Sequence, residues 1–182
     1  MTDKPSLRER QAPLKERYET DPESARLTFT VESRTPTHDD PTRVRIGTAG
    51  APGVEWRVGA HPYAGGDGDL ACSGDLLLAS LAACQEITVR MVAAAMGVEL
   101  RELDVTVEGD MDFRGTMGID AETPVGFSAI RTKIRIGADV APDRLERLAK
   151  RAEKYCVVGA TLRQSPVMTL EFEAAPAANG SK

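Results

Sequence analysis

The longest apolar stretch of the sequence, residues 76–96, limits what this chain can fold into more than any other feature. A helix of this length could cross a bilayer, but Gln85, Glu86 and Arg90 stand near its middle. Hydrocarbon accepts such polar and charged groups only at a large cost in free energy. We therefore predict a central core helix in a protein with no membrane partner.

Residues on either side of this segment predict where the helix begins and ends and which elements surround it. Ser73 is the predicted N-cap and Gly97 the predicted stop. Before the helix, alternating apolar and polar residues predict a meander of three antiparallel strands. After it, the pattern predicts a pair of strands, then a second helix and then a last strand. The strands are predicted at residues 27–32, 43–47, 54–59, 103–107, 130–136 and 167–172, and the second helix from Pro142. This order predicts an α+β fold, with antiparallel sheets around a long central helix.

Composition limits the number of domains and the classes of partner. A chain of 182 residues, 41% of them hydrophobic, closes one core, and we expect it to span residues 25–173, with a polar arm at 1–24 and a disordered tail at 174–182. A net charge of -5 argues against a nucleic-acid partner. The first thirty residues are charged and include no secretory signal pattern, so we expect a cytoplasmic protein.

Three cysteines carry the reactive chemistry of the sequence: Cys72, Cys84 and Cys156. An odd number of cysteines in a reducing compartment does not suggest a structural disulfide framework, so at least one is expected to be reactive. Cys72 cannot pair with Cys84 along one helix, because twelve residues span about 18 Å and a disulfide needs Cα atoms within roughly 7 Å. Cys156 is the remaining partner for Cys84. The sequence has no CxxC pair and only two histidines, so we expect no metal and no other cofactor.

The surroundings of Cys84 leave its role open at this point. On a helix, Cys84 shares its face with the hydroxyls of Ser80 and Thr88 and with no cation. A free thiol needs a nearby cation to become a good nucleophile at neutral pH. The alternative is a small buried core residue, since free cysteine is among the most buried residue types.

Two segments around these cysteines resemble the motifs of the OsmC/Ohr family. They are Ser-Gly-Asp-Leu-Leu-Leu-Ala-Ser-Leu-Ala-Ala-Cys, which ends at Cys84, and Glu-Lys-Tyr-Cys-Val-Val, which begins at Glu153. The resemblance extends roughly over residues 25–173. It implies thiol-dependent reduction of organic hydroperoxides, with Cys84 as peroxidatic and Cys156 as resolving cysteine and an external dithiol as reductant. It also implies an intertwined homodimer with active sites at the subunit interface.

The resemblance assigns two further site residues. In the family, an arginine from the first hairpin steadies the thiolate and the peroxide, and a glutamate near the start of the central helix orients that arginine. Arg34 is the match for the arginine, with Arg57 in reserve. The glutamate is missing, and Asp75 occupies nearly its place. Because Asp75 lies nine residues before Cys84, on the opposite side of a continuous helix, helix capping is its alternative role.

Two other functions fit the same residues. The first is a non-catalytic binder of an apolar small molecule in the dimer cleft, with Cys84 merely buried. The second is a thiol redox sensor that uses the same cysteine pair. Residues 111–127 form a loop too apolar for an idle surface segment, and we expect it to pack over a pocket or a second chain.

Overall fold

The computed structural model describes residues 5–37, 39–50 and 53–174. Its helices are α1 (Leu7–Thr20), α2 (Ser73–Ala95), α3 (Phe113–Thr116), α4 (Pro142–Tyr155) and α5 (Val157–Arg163), with 3-10 turns at Pro22–Ala25 and Pro62–Ala64. Its strands are β1 (Val31–Ser33), β2 (Arg43–Thr48), β3 (Glu55–Gly59), β4 (Leu100–Asp110) and β5 (Ala129–Ala138). Except for Ala174, the predicted tail lies outside the described residues.

The strands form two antiparallel sheets, and the predicted α+β fold is confirmed. The first sheet has the order β1-β2-β3, and the second is the β4-β5 pair. Val105 faces Ile134 across the second sheet, and Asp104 faces Arg135. Because side chains alternate between faces, apolar pairs line one face and ion pairs such as Arg135–Asp104 line the other.

The N-cap of the central helix lies one residue before the predicted one. Cys72 is the N-cap and Ser73 is the first helical residue, so the Ser73 prediction is wrong. The Cys72 backbone is extended, its sulfur accepts the Asp75 N–H at 3.4 Å, and the Asp75 carboxylate accepts the Cys72 N–H at 2.8 Å. This capping box satisfies two helix-end donors, with a thiol where a hydroxyl is usual. At the other end Gly97 takes the left-handed conformation with φ 61°, which confirms the predicted stop.

The core lies where α2 packs against α4 and the second sheet. Leu148 of α4 is fully buried among Val89, Ala93, Val98 and Ala152. These contacts hold α4 against the middle and end of α2. The end of α4 is therefore fixed relative to the α2 residues around Cys84.

The remaining surface of α2 is poorly covered in a single chain. Ile87 is 56% exposed, and Leu77 and Met91 are partly exposed as well. By length and composition, α2 is the one helix in the described part of the chain that could cross a membrane. Its packing against β4, α4 and α5 makes it a core helix with one uncovered side.

The apolar loop expected over a pocket packs against the start of α2. The Phe127 ring lies beside Gly74 of α2 and Gly109 of β4, and a Cβ on Gly109 would come within 2.7 Å of that ring. Only glycine permits this approach. The tip of the loop, at Ile119 and Val125, remains exposed.

The predicted last strand is absent. Residues 167–172 belong to no sheet, and Val167, Met168, Leu170 and Phe172 are almost fully exposed. The first strand is also shorter than predicted, since it begins at Val31 and leaves Leu27 and Phe29 exposed. An extended segment becomes a strand only when another strand pairs with it, and within residues 5–37, 39–50 and 53–174 neither segment has such a partner.

Candidate functional site

Two thiols from distant parts of the chain meet at the centre of the site. The sulfurs of Cys84, on α2, and Cys156, between α4 and α5, lie 3.5 Å apart. Both cysteines are free, with Cys84 partly exposed and Cys156 buried. A disulfide bond is about 2.0 Å long, so a small movement would join the two sulfurs. The predicted pairing partner of Cys84 is therefore its neighbour in the fold.

Cys156 lies directly after α4, which ends at Tyr155. Cys156 has an extended backbone and is the N-cap of α5, a helix that the sequence analysis missed. Its sulfur accepts the Gly159 N–H at 3.3 Å. This break turns the start of α5 toward the sulfur of Cys84.

Neutral hydrogen-bond donors lower the pKa of Cys84. Burial raises the pKa of this thiol, but the Val158 N–H, the Cys156 thiol and the Val157 N–H favour the thiolate and bring the pKa below its ordinary value. The Thr88 hydroxyl acts in the same direction. However, its single hydrogen is donated to the Cys84 carbonyl at 2.7 Å, so the backbone donors and Cys156 are the effective ones.

The pKa of Cys156 moves in the opposite direction. Burial raises it, and the neighbouring Cys84 thiolate raises it further. The Gly159 N–H and the Arg163 guanidinium lower it, without offsetting the other two effects. When the pair loses one proton, the negative charge therefore lies on Cys84 and the remaining proton on Cys156.

A cleft of about 440 Å³ opens beside Cys156. Its lining combines apolar side chains of α2, β5 and α4 with charged groups on α4 and α5. The lining residues are Gln85, Val89, Thr132, Ile134, Ile136, Glu146, Ala149, Lys150, Ala152, Glu153, Cys156 and Arg163. Arg163 is the site residue that the sequence analysis missed, because no signal marked α5 as a helix.

The single chain does not bring the other predicted site residues to Cys84. Arg34 is 81% exposed and pairs with Glu32 at 2.9 Å. Arg57, on β3, borders a separate pocket of the first sheet. Asp75 is engaged in the cap of α2, and hydrogen bonds from Cys72 hold the pKa of its carboxyl below the usual value. Because the resemblance implies a site between subunits, the Arg34 assignment stays a prediction about the dimer.

Cys72 lies apart from the thiol pair, at the N-terminus of α2. Within the described ranges, no group of three or more His, Cys, Asp or Glu side chains could hold a metal ion. The described chemistry of the site therefore consists of two thiols, backbone donors and one guanidinium.

Comparisons with known proteins agree with this architecture. The family model for OsmC-like proteins matches residues 66–171, more than half of the chain. An OsmC-like protein from Mycoplasma pneumoniae superposes with a TM-score of 0.61 at 16% identity, covering 76% of this chain and 89% of that one.

Two further structures carry hydroperoxide-resistance names. An organic hydroperoxide resistance protein OsmC from Legionella pneumophila has a TM-score of 0.55 at 18% identity, covering 76% of this chain and 90% of that one. An organic hydroperoxide resistance protein from Elizabethkingia anophelis, with thiocyanate bound, has a TM-score of 0.52 at 15% identity and covers 77% and 91%. A comparison with curated protein sequences finds no match. The family match and the shared fold together show that this chain belongs to the OsmC-like protein family.

Proposed function

We propose that this protein is a thiol-dependent peroxidase that reduces organic hydroperoxides through Cys84 and Cys156. The observation that carries the proposal is the 3.5 Å separation of two free thiols whose pKa values move in opposite directions. A lowered pKa supplies a thiolate nucleophile, and a protonated neighbour waits to resolve the product. The relatives from Legionella pneumophila and Elizabethkingia anophelis, named for organic hydroperoxide resistance, support the same chemistry.

The reaction proceeds in two steps on the protein. The Cys84 thiolate attacks the distal peroxide oxygen, the O–O bond breaks, and the alkoxide takes a proton and leaves as the alcohol. Cys84 then carries a sulfenic acid. The Cys156 thiolate attacks that sulfur and displaces hydroxide, which leaves as water after protonation. An external dithiol reduces the resulting disulfide by thiol–disulfide exchange.

Apolar surroundings favour organic over inorganic peroxides. The cleft beside Cys156 has a floor of Val89, Ile134 and Ile136. Burying alkyl carbons there would stabilise a bound organic hydroperoxide by about 0.8 kcal/mol per CH₂, a contribution that hydrogen peroxide lacks. The substrate class is therefore an alkyl or lipid hydroperoxide.

The working form is a homodimer in the cytoplasm. In the single chain, Ile87 of α2 is largely exposed, and so are the two unpaired extended segments around Phe29 and Leu170. Large apolar side chains exposed in this number favour association with a second copy. Pairing of these segments with the other subunit would turn them into strands and produce an intertwined dimer. A second copy could also bring Arg34 to Cys84.

Turnover with cysteine variants tests the proposal. With tert-butyl hydroperoxide and dithiothreitol, wild type should consume peroxide and Cys84→Ser should be inactive. Without the dithiol, Cys156→Ser should react once and accumulate a sulfenic acid. Cys72→Ser is the matched control, because serine is also a good N-cap and the residue lies apart from the pair. Equal peroxide consumption by wild type and Cys84→Ser would overturn the proposal.

The cleft of about 440 Å³ also favours a second candidate, a non-catalytic binder of an apolar small molecule. Its volume lies in the range of small-molecule sites. Such a binder would consume no peroxide, and its ligand affinity would be the same in wild type and Cys84→Ser. A redox sensor would form the Cys84–Cys156 disulfide without turning over in the presence of dithiothreitol.

A further inference from the structure

Arg163 lies near Cys156, and Gly159 is next to both side chains. A Cβ placed on Gly159 would lie 3.2 Å from the Cys156 sulfur and 3.5 Å from Arg163 Nη1. The space of a single methyl group therefore separates the sulfur from the guanidinium. Gly159 is itself buried, and the sulfur and the guanidinium both border the cleft beside Cys156.

The guanidinium is held in place from α4. Arg163 Nη2 donates to the Glu153 carbonyl oxygen at 3.2 Å, and Nη1 lies 3.7 Å from the Glu153 carboxylate. These contacts cross the break between α4 and α5, at which Cys156 lies. The side chain is 53% exposed, so solvent weakens its field without removing it.

We infer that Arg163 is a positioning residue that acts through Cys156 and speeds the resolving step by favouring the Cys156 thiolate. The inference rests on the proposed function, since it gives Arg163 a role in the second step of that reaction. In this step the Cys156 thiolate attacks the Cys84 sulfenic acid, an S–S bond forms, the S–O bond breaks, and hydroxide leaves. Attack requires the thiolate, whereas burial raises the pKa of Cys156 and so disfavours that form.

Other charged groups around Cys156 do not replace Arg163. From α4, the Lys150 ammonium is engaged by the Glu146 carboxylate at 2.6 Å, and Glu153 faces Arg163. From α2, the group facing Cys156 is the Cys84 thiol. The β5 side chains that line the cleft are the uncharged Thr132, Ile134 and Ile136.

The expected effect of Arg163→Gln follows from thiol chemistry. Arg163→Gln should raise the pKa of Cys156, and for every tenfold fall in its thiolate fraction at pH 7 each thiolate becomes about threefold more nucleophilic. Disulfide formation should then be about threefold slower at pH 7. Well above both pKa values it should be about threefold faster than in wild type, so the two pH–rate profiles should cross.

The test is rapid mixing of reduced protein with one equivalent of tert-butyl hydroperoxide across a pH series. Sulfenic acid is trapped with dimedone, and disulfide is read by mass. Arg163→Lys keeps the positive charge and should restore the wild-type profile. The control is Arg147→Gln, which removes an arginine of α4 that pairs with Asp143. Crossing profiles support the inference. A uniform loss of rate at every pH would indicate a structural role and overturn it.

A second measurement separates this inference from the proposed function. In a Cys72→Ser, Cys84→Ser background, the ultraviolet absorbance of the Cys156 thiolate is titrated with and without Arg163→Gln. The substitution should move the titration to higher pH, and an unchanged curve would overturn the role of Arg163. Failure of the proposed function would appear elsewhere, as no sulfenic acid on Cys84 in the otherwise wild-type protein.

Discussion

Leu148→Ala should be among the most destabilising single truncations in the core. Leu148 is fully buried and touches residues of both α2 and α4. Removing three carbons costs about 2.5 kcal/mol in burial, and the cavity left behind adds about 0.5–1.5 kcal/mol where the core cannot collapse. Because Val89 and Ala93 are fixed on α2, we expect little collapse and a loss of about 3–4 kcal/mol.

Urea unfolding at one fixed protein concentration measures this loss, since a dimer's stability depends on concentration. For a chain of this size the melting temperature should fall by roughly 6–16 °C. The control is Leu145→Ala, one turn earlier on α4 and only partly buried, which should lose less. A loss below about 1 kcal/mol for Leu148→Ala, or equal losses for both variants, would refute the packing of α4 on α2 as described.

Three further predictions concern charge and pH. The pH dependence of alkylation should give a pKa below the ordinary thiol value for Cys84 and a pKa above that value for Cys156. The same pKa for both cysteines would contradict the assignment of nucleophile and resolver. Folding lowers the pKa of Asp75, so this carboxylate stabilises the folded protein at pH values above its unfolded-state pKa. That stabilisation is lost as the pH falls through the folded-state pKa. Asp75→Asn should therefore lower the free energy of unfolding by about 0.5 kcal/mol at pH 7, a small amount because the group is exposed, and should remove that acid sensitivity. An unchanged melting temperature at pH 7 would argue against the cap. Arg34→Ala should shift the Cys84 alkylation profile to higher pH in the dimer, with Arg57→Ala as the second candidate, and identical profiles would reject both.

Periodicity was enough to predict the elements with strong local signals. The long apolar run at 76–96 predicted α2, and alternation predicted the β4-β5 pair. The meeting of Cys84 and Cys156 was also predictable, because helix geometry excluded Cys72. The helix and the strand pair depend on local spacing along the chain, which the sequence states directly. The cysteine pair is a contact between residues 72 apart, and it followed from the exclusion of Cys72 and from the resemblance to the OsmC/Ohr family.

The missed features depend on contacts that the sequence does not state. The α5 helix has only seven residues and includes Val157, Val158 and Gly159, which have weak helix propensity. Missing α5 meant missing Arg163 beside Cys156. The cap at Cys72 was assigned to Ser73 because cysteine is not among the preferred capping residues. The strand at 167–172 has a strand pattern but lacks a neighbouring strand in the single chain.

The most direct test of the central claim is disulfide mapping by mass spectrometry after one equivalent of tert-butyl hydroperoxide. Reduced protein is oxidised, blocked with an alkylating reagent, digested without reductant and compared with an untreated sample. The account predicts a Cys84–Cys156 disulfide in nearly every chain, with Cys72 recovered as the free, alkylated thiol. Disulfides that contain Cys72, or an alkylated Cys84 with the peroxide unconsumed, would contradict it.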